Sequence, residues 1–341
     1  MVNSDAGQIV PGIYRVDVPF PQGWFPPDAP SATICYLVEQ ASGWLMIDSG
    51  LHHPSCYEAV CEQLSALRIS LADIRWLVIT HFHPDHFGLA GRIKAASQAR
   101  IIMHRQDWEV VKFILDSANS WSEDEVTKWA SSLGITAPEM DGLRQVVGFG
   151  VMLFSYVSEP DVLLEGDEQA VGDTGCLHAI RTPGHTPGHV CIYDESQRVL
   201  FSGDHVLTGI TTHITPSLLG TEDQLSEYMR ALRKVEKLDV RIVLPAHEQP
   251  FTNLTQRVEE LLGHHERRLQ QVLAPLRNRS LSAREVASQV EWMVGLWDRM
   301  DGMNRLLAIQ ETLAHLRLLQ EQGRVTVVQK EGVSLFQASA A

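Results

Sequence analysis

The first 80 residues alternate short apolar segments with turn-forming residues, the pattern of consecutive strands. Three such segments, GIYRVDVPF, TICYLVEQ and GWLMIDSG, predict an opening β-meander. A loop rich in Pro and Gly, PQGWFPPDAPS, separates the first two. The pattern then predicts a helix over residues 54–67, followed by the short apolar strand RWLVIT.

A second strand-helix unit follows, with a helix over residues 89–97 and the strand RIIMH. Residues 105–160 are predicted to be helical and contain several bulky aromatic groups. These are Trp108, Trp121, Trp129, Phe149 and Phe154. Two compatible interpretations remain open, a small helical insertion with its own apolar contacts and a lid whose aromatic side chains line a substrate pocket.

The strand pattern resumes in LHAIRTPGHTPGHVCIYDESQRVLFSGDHVL, which predicts two strands joined by a turn at residues 194–197. VRIVLPAHEQP predicts a further strand. From Thr255 the pattern becomes helical, and GRVTVVQKEGVSLFQ predicts a closing hairpin. We expect the apolar positions of these helices to pack against the preceding part of the chain. The same positions are also candidates for contacts in a homodimer. They are Leu261, Leu262, Leu269, Val272, Leu276, Leu307, Leu313 and Leu316.

Length and composition are those of a large globular protein. The 341 residues exceed the usual size of one domain, and the 44% hydrophobic fraction supports an extensive core. Five cysteines without a C-x-x-C pair indicate neither a disulfide framework nor a zinc knuckle. Because the N-terminus lacks signal-peptide features and no apolar run could span a bilayer, we expect a cytoplasmic protein without a membrane partner.

The charge distribution argues against nucleic acid as a partner. The chain has 28 Lys and Arg against 42 Asp and Glu, a net charge of -14. Residues 251–341 hold 11 basic and 10 acidic residues, which leaves 17 against 32, or −15, in residues 1–250. A protein that binds nucleic acid usually presents a basic face.

The segment THFHPDHFG concentrates potential metal ligands directly after a predicted strand: His81, His83, Asp85 and His86. Burying a carboxylate among imidazoles without a partner costs several kcal/mol, and a cation would compensate. Two histidines at i and i+2 can face one cation, while Asp85 and His86 can serve a second about 3.5–4 Å away. Three more predicted strand ends present the ligands that would complete both sites, and these are His185, Asp204 and His247.

Together with TPGHTPGH, SGDH and PAH, this segment resembles the metallo-β-lactamase-fold hydrolase superfamily over roughly residues 8–250. The resemblance implies an α/β fold, a four-layer αββα sandwich. It also implies that one metal is bound by His81, His83 and His185, a second by Asp85, His86 and His247, and that Asp204 bridges them. Asp48 resembles the structural aspartate that braces the metal loops of this family.

The implied chemistry is hydrolysis by a hydroxide that bridges two divalent metal ions, with Asp85 and Asp204 as the catalytic carboxylates. Imidazole-rich ligands favour zinc, although the oxygen ligands also permit manganese or iron. We interpret His189 as a support for the ligands. The remaining isolated histidines are interpreted as surface or satisfied core residues, namely His104, His264, His265 and His315.

The sequence lacks residues that are typical of several branches of this superfamily, and these differences indicate which branch it resembles most. Dinuclear β-lactamases commonly carry cysteine in place of Asp204, acyl-homoserine lactonases carry tyrosine in place of Leu207, and HVLTGITTHITPS lacks the Lys/Tyr patch of glyoxalase II. The C-terminal order of LSAREVASQV, AIQETLAHLRLLQEQG and a hairpin is similar to the winged-helix-like domain of another branch. That branch includes a lactamase-like endoribonuclease and acyl-carrier-protein thioesterases.

The sequence therefore predicts a catalytic domain over residues 1–254, with the insertion at about 105–160, and a C-terminal winged-helix-like domain over 255–341. We expect hydrolysis of a small apolar thioester or ester. The alternatives are a metal-dependent endoribonuclease or phosphodiesterase, and a lactonase or glyoxalase II-like hydrolase.

The predicted pocket walls are Trp24, Phe25 and the aromatic residues from Trp108 to Tyr156. The acidic and basic side chains of the last helix and hairpin nearly balance, which argues against several phosphate contacts there; these are Glu311, Glu321, Arg317, Arg324, Lys330 and Glu331.

Overall fold

Two β-sheets stack face to face, and helices cover both outer faces, as in the predicted four-layer sandwich. The computed structural model describes residues 7–24, 30–118, 123–136, 139–140, 158–216, 219, 223–293 and 295–339. Among these residues, no helix combines the length and apolar character needed to cross a bilayer.

The first sheet contains seven strands whose order in space follows the chain. They are β1 (Gln8–Val10), β2 (Ile13–Pro19), β3 (Ala32–Gln40), β4 (Gly43–Ile47), β5 (Ile74–Val78), β6 (Arg100–His104) and β7 (Val162–Leu164). The strands up to β4 pair antiparallel, which confirms the predicted meander, and those from β4 to β7 pair in parallel.

The second sheet has the order β12-β11-β10-β9-β8. Its strands are β8 (Glu168–Val171), β9 (Leu177–Arg181), β10 (Val190–Asp194), β11 (Val199–Gly203) and β12 (Ile242–Pro245). The predicted turn between β10 and β11 is present, with Oδ1 of Asp194 accepting hydrogen bonds from Ser196 and from the backbone N–H of Gln197. The sequence predicted two strands in this region, whereas β9 makes a third.

The centre of the molecule lies between the sheets. Ile34 and Tyr36 of β3 face Ile192 and Phe201 of the second sheet, and the Tyr36 and Phe201 rings meet edge to face at 5.3 Å. Alternate residues of β3, such as Leu37, point to the opposite face and pack under helices. Because both faces of each sheet are covered, its inner strands are almost continuously apolar.

The helices form the outer layers. They are α1 (Pro54–Ala66), α2 (Pro84–Phe87), α3 (Ala90–Ser97), α4 (Arg105–Ala118), α5 (Glu123–Ser132), α6 (Gln224–Val235), α7 (Leu254–Leu273), α8 (Ala283–Ala287) and α9 (Gly302–Glu321). Single 3₁₀ turns occur at Leu71–Asp73, Ala274–Leu276 and Trp297–Arg299. Residues of α1, α3 and α4 pack on the first sheet, and those of α6 pack on the second.

The C-terminal segment continues the apolar cluster of the second sheet. Leu225 and Leu232 of α6 share this cluster with Leu261 and Leu269 of α7 and Leu316 of α9. Most of the predicted apolar positions are buried, and Leu307 and Leu313 are partly buried. The hairpin of β13 (Val325–Lys330) and β14 (Val333–Ala338) follows α9, as predicted.

The region predicted as an insertion divides between two parts of the molecule. Its first helix, α4, belongs to the outer layer of the first sheet, where Trp108 is only 8% exposed and packs against Phe87. The prediction that Trp108 lines a pocket is therefore wrong, because its ring fills the core. Residues after α5 instead meet the C-terminal segment, where Arg284 forms an ion pair with Glu139. Of the other predicted pocket residues, Trp24 and Trp129 are half-buried. Phe25, Trp121, Phe149, Phe154 and Tyr156 lie outside the described residues.

Candidate metal centre

All seven predicted ligands lie just beyond the carboxyl ends of strands. His81, His83, Asp85 and His86 follow β5, His185 follows β9, Asp204 follows β11 and His247 follows β12. A hydrogen bond from Val190 N–H to the Thr80 carbonyl, at 2.9 Å, ties the loop after β5 to the second sheet. The two sheets thus bring together residues that are far apart in sequence.

The histidines assigned to the first metal form one compact group. Potential ligand atoms of His81, His83 and His185 all lie within 4.8 Å of one another. Nε2 of His81 is 3.0 Å from Nδ1 of His83. Three imidazole nitrogens at this separation suit a divalent ion that prefers nitrogen ligands.

The residues assigned to the second metal form an adjacent group. Ligand atoms of Asp85, His86 and His247 also lie within 4.8 Å of one another. Oδ2 of Asp85 is 3.3 Å from Nε2 of His86 and 3.4 Å from Nε2 of His247. The hydroxyl of Thr33 donates to the same oxygen at 3.1 Å, so the carboxylate is held in place from outside the cluster.

Asp204 lies between the two groups and turns one oxygen toward each. Its Oδ2 is 3.6 Å from Nε2 of His185, and its Oδ1 is 3.6 Å from Nε2 of His86 and 3.5 Å from Nε2 of His247. The preceding Gly203 has a positive φ of 51°, and a Cβ there would lie 2.7 Å from Nε2 of His189. The turn in SGDH therefore requires glycine to bring Asp204 between the groups.

Hydrogen bonds at Nδ1 orient four of the five ligand histidines. His81 pairs with the Thr80 hydroxyl at 3.1 Å and His86 with the Asp48 carboxylate at 2.8 Å. The two others pair with backbone carbonyl oxygens, His185 with that of His213 at 2.7 Å and His247 with that of Ala32 at 2.9 Å. In each case the pairing leaves Nε2 directed into the cluster, the arrangement of metal-binding histidines.

Asp48 acts as the predicted brace. Its carboxylate accepts hydrogen bonds from the backbone N–H and the hydroxyl of Thr80, both at 2.8 Å, besides pairing with His86. The residue has a left-handed backbone with φ of 60°. This conformation, uncommon outside glycine, turns the carboxylate back toward the loop that follows β5.

Electrostatics within the cluster favour a cation. Burial lowers the pKa of His83 to about 3 and that of His81 well below its usual range. Burial also disfavours protonation of His247, but the neighbouring carboxylates of Asp204 and Asp85 outweigh it and raise its pKa to about 10. Without metal, protons on the imidazoles balance the charge of the buried carboxylates. Metal ions and protons therefore compete for the same imidazole nitrogens.

The cluster fits two divalent ions by its donor set and its unpaired atoms. Among the described residues, Nε2 of His86, Nε2 of His185 and Oδ1 of Asp204 are buried and have no hydrogen-bond partner. Leaving such atoms unpaired costs about 1–3 kcal/mol each, and more when they are charged. Coordination of a cation would offset this cost at all three.

Asp107, on α4, supports the centre and was not identified from the sequence. Its Oδ2 accepts hydrogen bonds from the backbone N–H of Phe82 at 2.9 Å and the hydroxyl of Thr186 at 2.7 Å, and its Oδ1 accepts from the N–H of Gly188 at 2.5 Å. It thereby joins the loop that carries His81 to the loop that carries His185. Burial raises the pKa of Asp107 to about 7, although these donors oppose the rise.

We expect Asp107→Asn to lower metal affinity or activity about 10- to 100-fold, as losses of supports behind ligands do. An amide can offer only one acceptor oxygen, so its NH₂ would face a backbone N–H. Elemental analysis, a thermal melt and hydrolysis rates would measure the effect. Glu109→Gln, at an exposed position of the same helix, is the matched control. Wild-type metal content and rates in Asp107→Asn would contradict the role of Asp107.

The histidines not assigned as ligands differ from the prediction in part, because Nε2 of His104, His264 and His265 is buried without a hydrogen-bond partner among the described residues. His189 is buried beside the centre, but its Nε2 accepts from the N–H of Asp204 at 3.2 Å and its Nδ1 pairs with the Thr182 hydroxyl at 2.8 Å. Both nitrogens are thus occupied, and His189 supports Asp204. None of the candidate metal groups among the described residues contains His104, His264, His265 or His315.

The chain is similar to known proteins over the part that contains the candidate ligands. The sequence profile of the metallo-beta-lactamase superfamily matches residues 29–247, which include all seven candidate ligands. A metallo-beta-lactamase family protein from Thermus thermophilus has a similar structure, with a TM-score of 0.78 and 25% sequence identity. The similarity covers 97% of this chain and 100% of that one, and therefore extends beyond the metal-binding part.

Two relatives carry informative names. "Probable metallo-hydrolase YqjP" from Bacillus subtilis is 24% identical over 318 residues, which cover 92% of each chain. "Atrochrysone carboxyl ACP thioesterase" from Aspergillus fumigatus is 32% identical over 170 residues, 48% of this chain and 49% of the relative. The likeness to the thioesterase thus concerns about half of each protein.

Proposed function

The chain belongs to the metallo-beta-lactamase superfamily of metal-dependent hydrolases, and we propose that it hydrolyses a small apolar thioester or ester. The observation that carries the hydrolytic part of the proposal is the position of Asp204, which turns its two carboxylate oxygens toward two adjacent groups of imidazoles. In this proposal His81, His83 and His185 hold one divalent ion and Asp85, His86 and His247 hold the other. Asp204 is shared by both.

Two divalent ions held by these residues would lower the pKa of a bound water and polarise the oxygen of the group under attack. The protein supplies the orientation. Asp48 and Thr33 fix the second group, Asp107 joins the loops of the first, and Asp204 would be shared by both ions. Asp85 would orient the attacking water and receive its proton. Neither a serine nor a cysteine nucleophile is needed in this scheme.

Charge favours a small acyl substrate over RNA. Residues 1–250, which contain every candidate ligand, carry a formal charge of −15. Such a charge repels a polyanion and slows its association, and two divalent ions would offset only about +4 of it. The similarity to an acyl-carrier-protein thioesterase also favours an acyl substrate over RNA, within the half of the chain that it covers.

Leu207, which follows Asp204 in the chain, argues against a lactonase of the acyl-homoserine type. Leu207 occupies the position at which those enzymes commonly have tyrosine, and its side chain is 3% exposed. A buried leucine offers no hydroxyl to a substrate. We therefore rank thioesters and esters above lactones.

A substrate panel tests the proposal. Metal-loaded protein would be assayed with short and medium acyl thioesters, aryl esters, lactones, a phosphodiester and single-stranded RNA. We expect kcat/KM for the best thioester or ester to exceed that for RNA at least about tenfold, which corresponds to about 1.4 kcal/mol in the barrier. Asp204→Ala, prepared in parallel, would identify contaminating activity.

Cleavage of RNA with the higher kcat/KM, if abolished by Asp204→Ala, would replace the thioesterase proposal with the endoribonuclease alternative. Zinc and manganese forms should both be assayed, because the ligand set accommodates either ion.

A further inference from the structure

A carboxylate from the C-terminal segment is buried behind the metal centre. Glu311 lies on α9, and its side chain is only 12% exposed. The sequence had shown it only as part of the charge balance of the last helix and hairpin, whereas in the structure it is buried. A buried carboxylate is costly, so its partners should account for its position.

The partners of Glu311 hold it in its ionised form. Oε2 is 3.3 Å from Nδ1 of His213, and Oε1 is 4.0 Å from Nε of Arg268. Arg268 is itself fixed, since its Nη1 donates to the Glu291 carbonyl at 2.6 Å and its guanidinium lies over the Trp292 ring. Burial would raise the pKa of Glu311, but His213 and the other basic neighbours outweigh burial and lower it to about 2.

His213 belongs to a short segment that touches two candidate ligands. Its backbone carbonyl accepts the 2.7 Å hydrogen bond from Nδ1 of His185. The hydroxyl of the adjacent Thr212 donates to the carbonyl of Asp204. Any shift of this segment would therefore move His185, Asp204 or both.

We infer that Glu311 is a positioning residue of the metal centre: by holding the His213 side chain, α9 fixes the carbonyl that orients His185. The orientation of His185 thus depends on the side chain of Glu311, which lies much later in the chain. The C-terminal segment would in this way contribute to metal binding without contacting the metal. The inference rests on the proposed function only in requiring that the centre binds metal.

Metal affinity measured by chelator competition tests this role without any substrate. Direct supports of ligands contribute about 10- to 100-fold to metal affinity, and Glu311 acts one contact further away, so we expect about tenfold weaker binding of one zinc ion in Glu311→Leu. The visible absorption of the cobalt-substituted protein should also change, because the His185 ring would reorient. Glu311→Gln retains an oxygen that can accept from His213 and should largely restore both properties.

Glu321→Gln, at an exposed position of the same helix, is the matched control and should leave both properties unchanged. If Glu311→Leu does not fold, His213→Ala provides the same test, because it removes the side chain that Glu311 holds and leaves α9 intact. Wild-type zinc affinity and cobalt absorption in a folded Glu311→Leu or His213→Ala protein would overturn the inference. If wild-type protein binds no metal at all, the proposed function fails instead.

Discussion

Asp204→Ala is expected to lose nearly all hydrolytic activity while retaining its fold. Loss of a support behind a ligand costs about 10- to 100-fold, so loss of the carboxylate shared by both groups should cost at least about 100-fold in kcat/KM. The fold should survive, because the backbone of Asp204 is held separately by His189 and Thr212. Removing a buried carboxylate also removes the cost of burying its charge.

Three measurements separate these effects. Hydrolysis rates report the chemistry, elemental analysis reports whether one or both ions are lost, and circular dichroism with a thermal melt reports the fold. Asp204→Asn provides a graded comparison, since it keeps the shape and one acceptor oxygen but not the charge. Retention of both ions and of wild-type rates in Asp204→Ala would remove Asp204 from the centre.

Removal of the metal ions is expected to abolish activity and their return to restore it. We expect close to two transition-metal ions per chain, because two adjacent groups and a shared carboxylate are present. Chelation should be easier as the pH falls. His247, whose pKa is raised to about 10, must lose a proton before it can bind metal, so acid favours the protonated, metal-free form.

Chelator-treated protein would be titrated with zinc or manganese while activity and bound metal are followed. Recovery should be complete near two equivalents. Full activity after exhaustive chelation, or protein that contains no metal after expression in metal-supplemented medium, would contradict a dinuclear hydrolase. Circular dichroism of the metal-free protein distinguishes loss of metal from loss of structure.

Local sequence signals were sufficient for most of the fold. Strands such as β3 and β5 are recognisable because apolar, β-branched and aromatic residues are consecutive there and are bounded by turn formers. The helix after β4 and the final hairpin were found for similar reasons. The role of α4 was misjudged, since periodicity shows that a segment is helical but not which surface it covers.

The seven candidate ligands were also evident from the sequence. Each lies just after a strand, and in α/β proteins the carboxyl ends of strands gather at one site. Four of them occur within six residues, a concentration that ordinary core or surface would not require. The structure brings all seven together, and their role as ligands stays a prediction that the metal measurements will test.

Sequence alone thus determined which residues are the candidate ligands, because ligand types and their strand-end positions are local properties of the chain. Only the tertiary structure decided how the ligands are held. Asp107 joins two loops from a third element, and Glu311 reaches His185 through His213 from near the end of the chain. Such contacts leave no local pattern, because they depend on how sheets and helices pack and not on the spacing of residues along the chain.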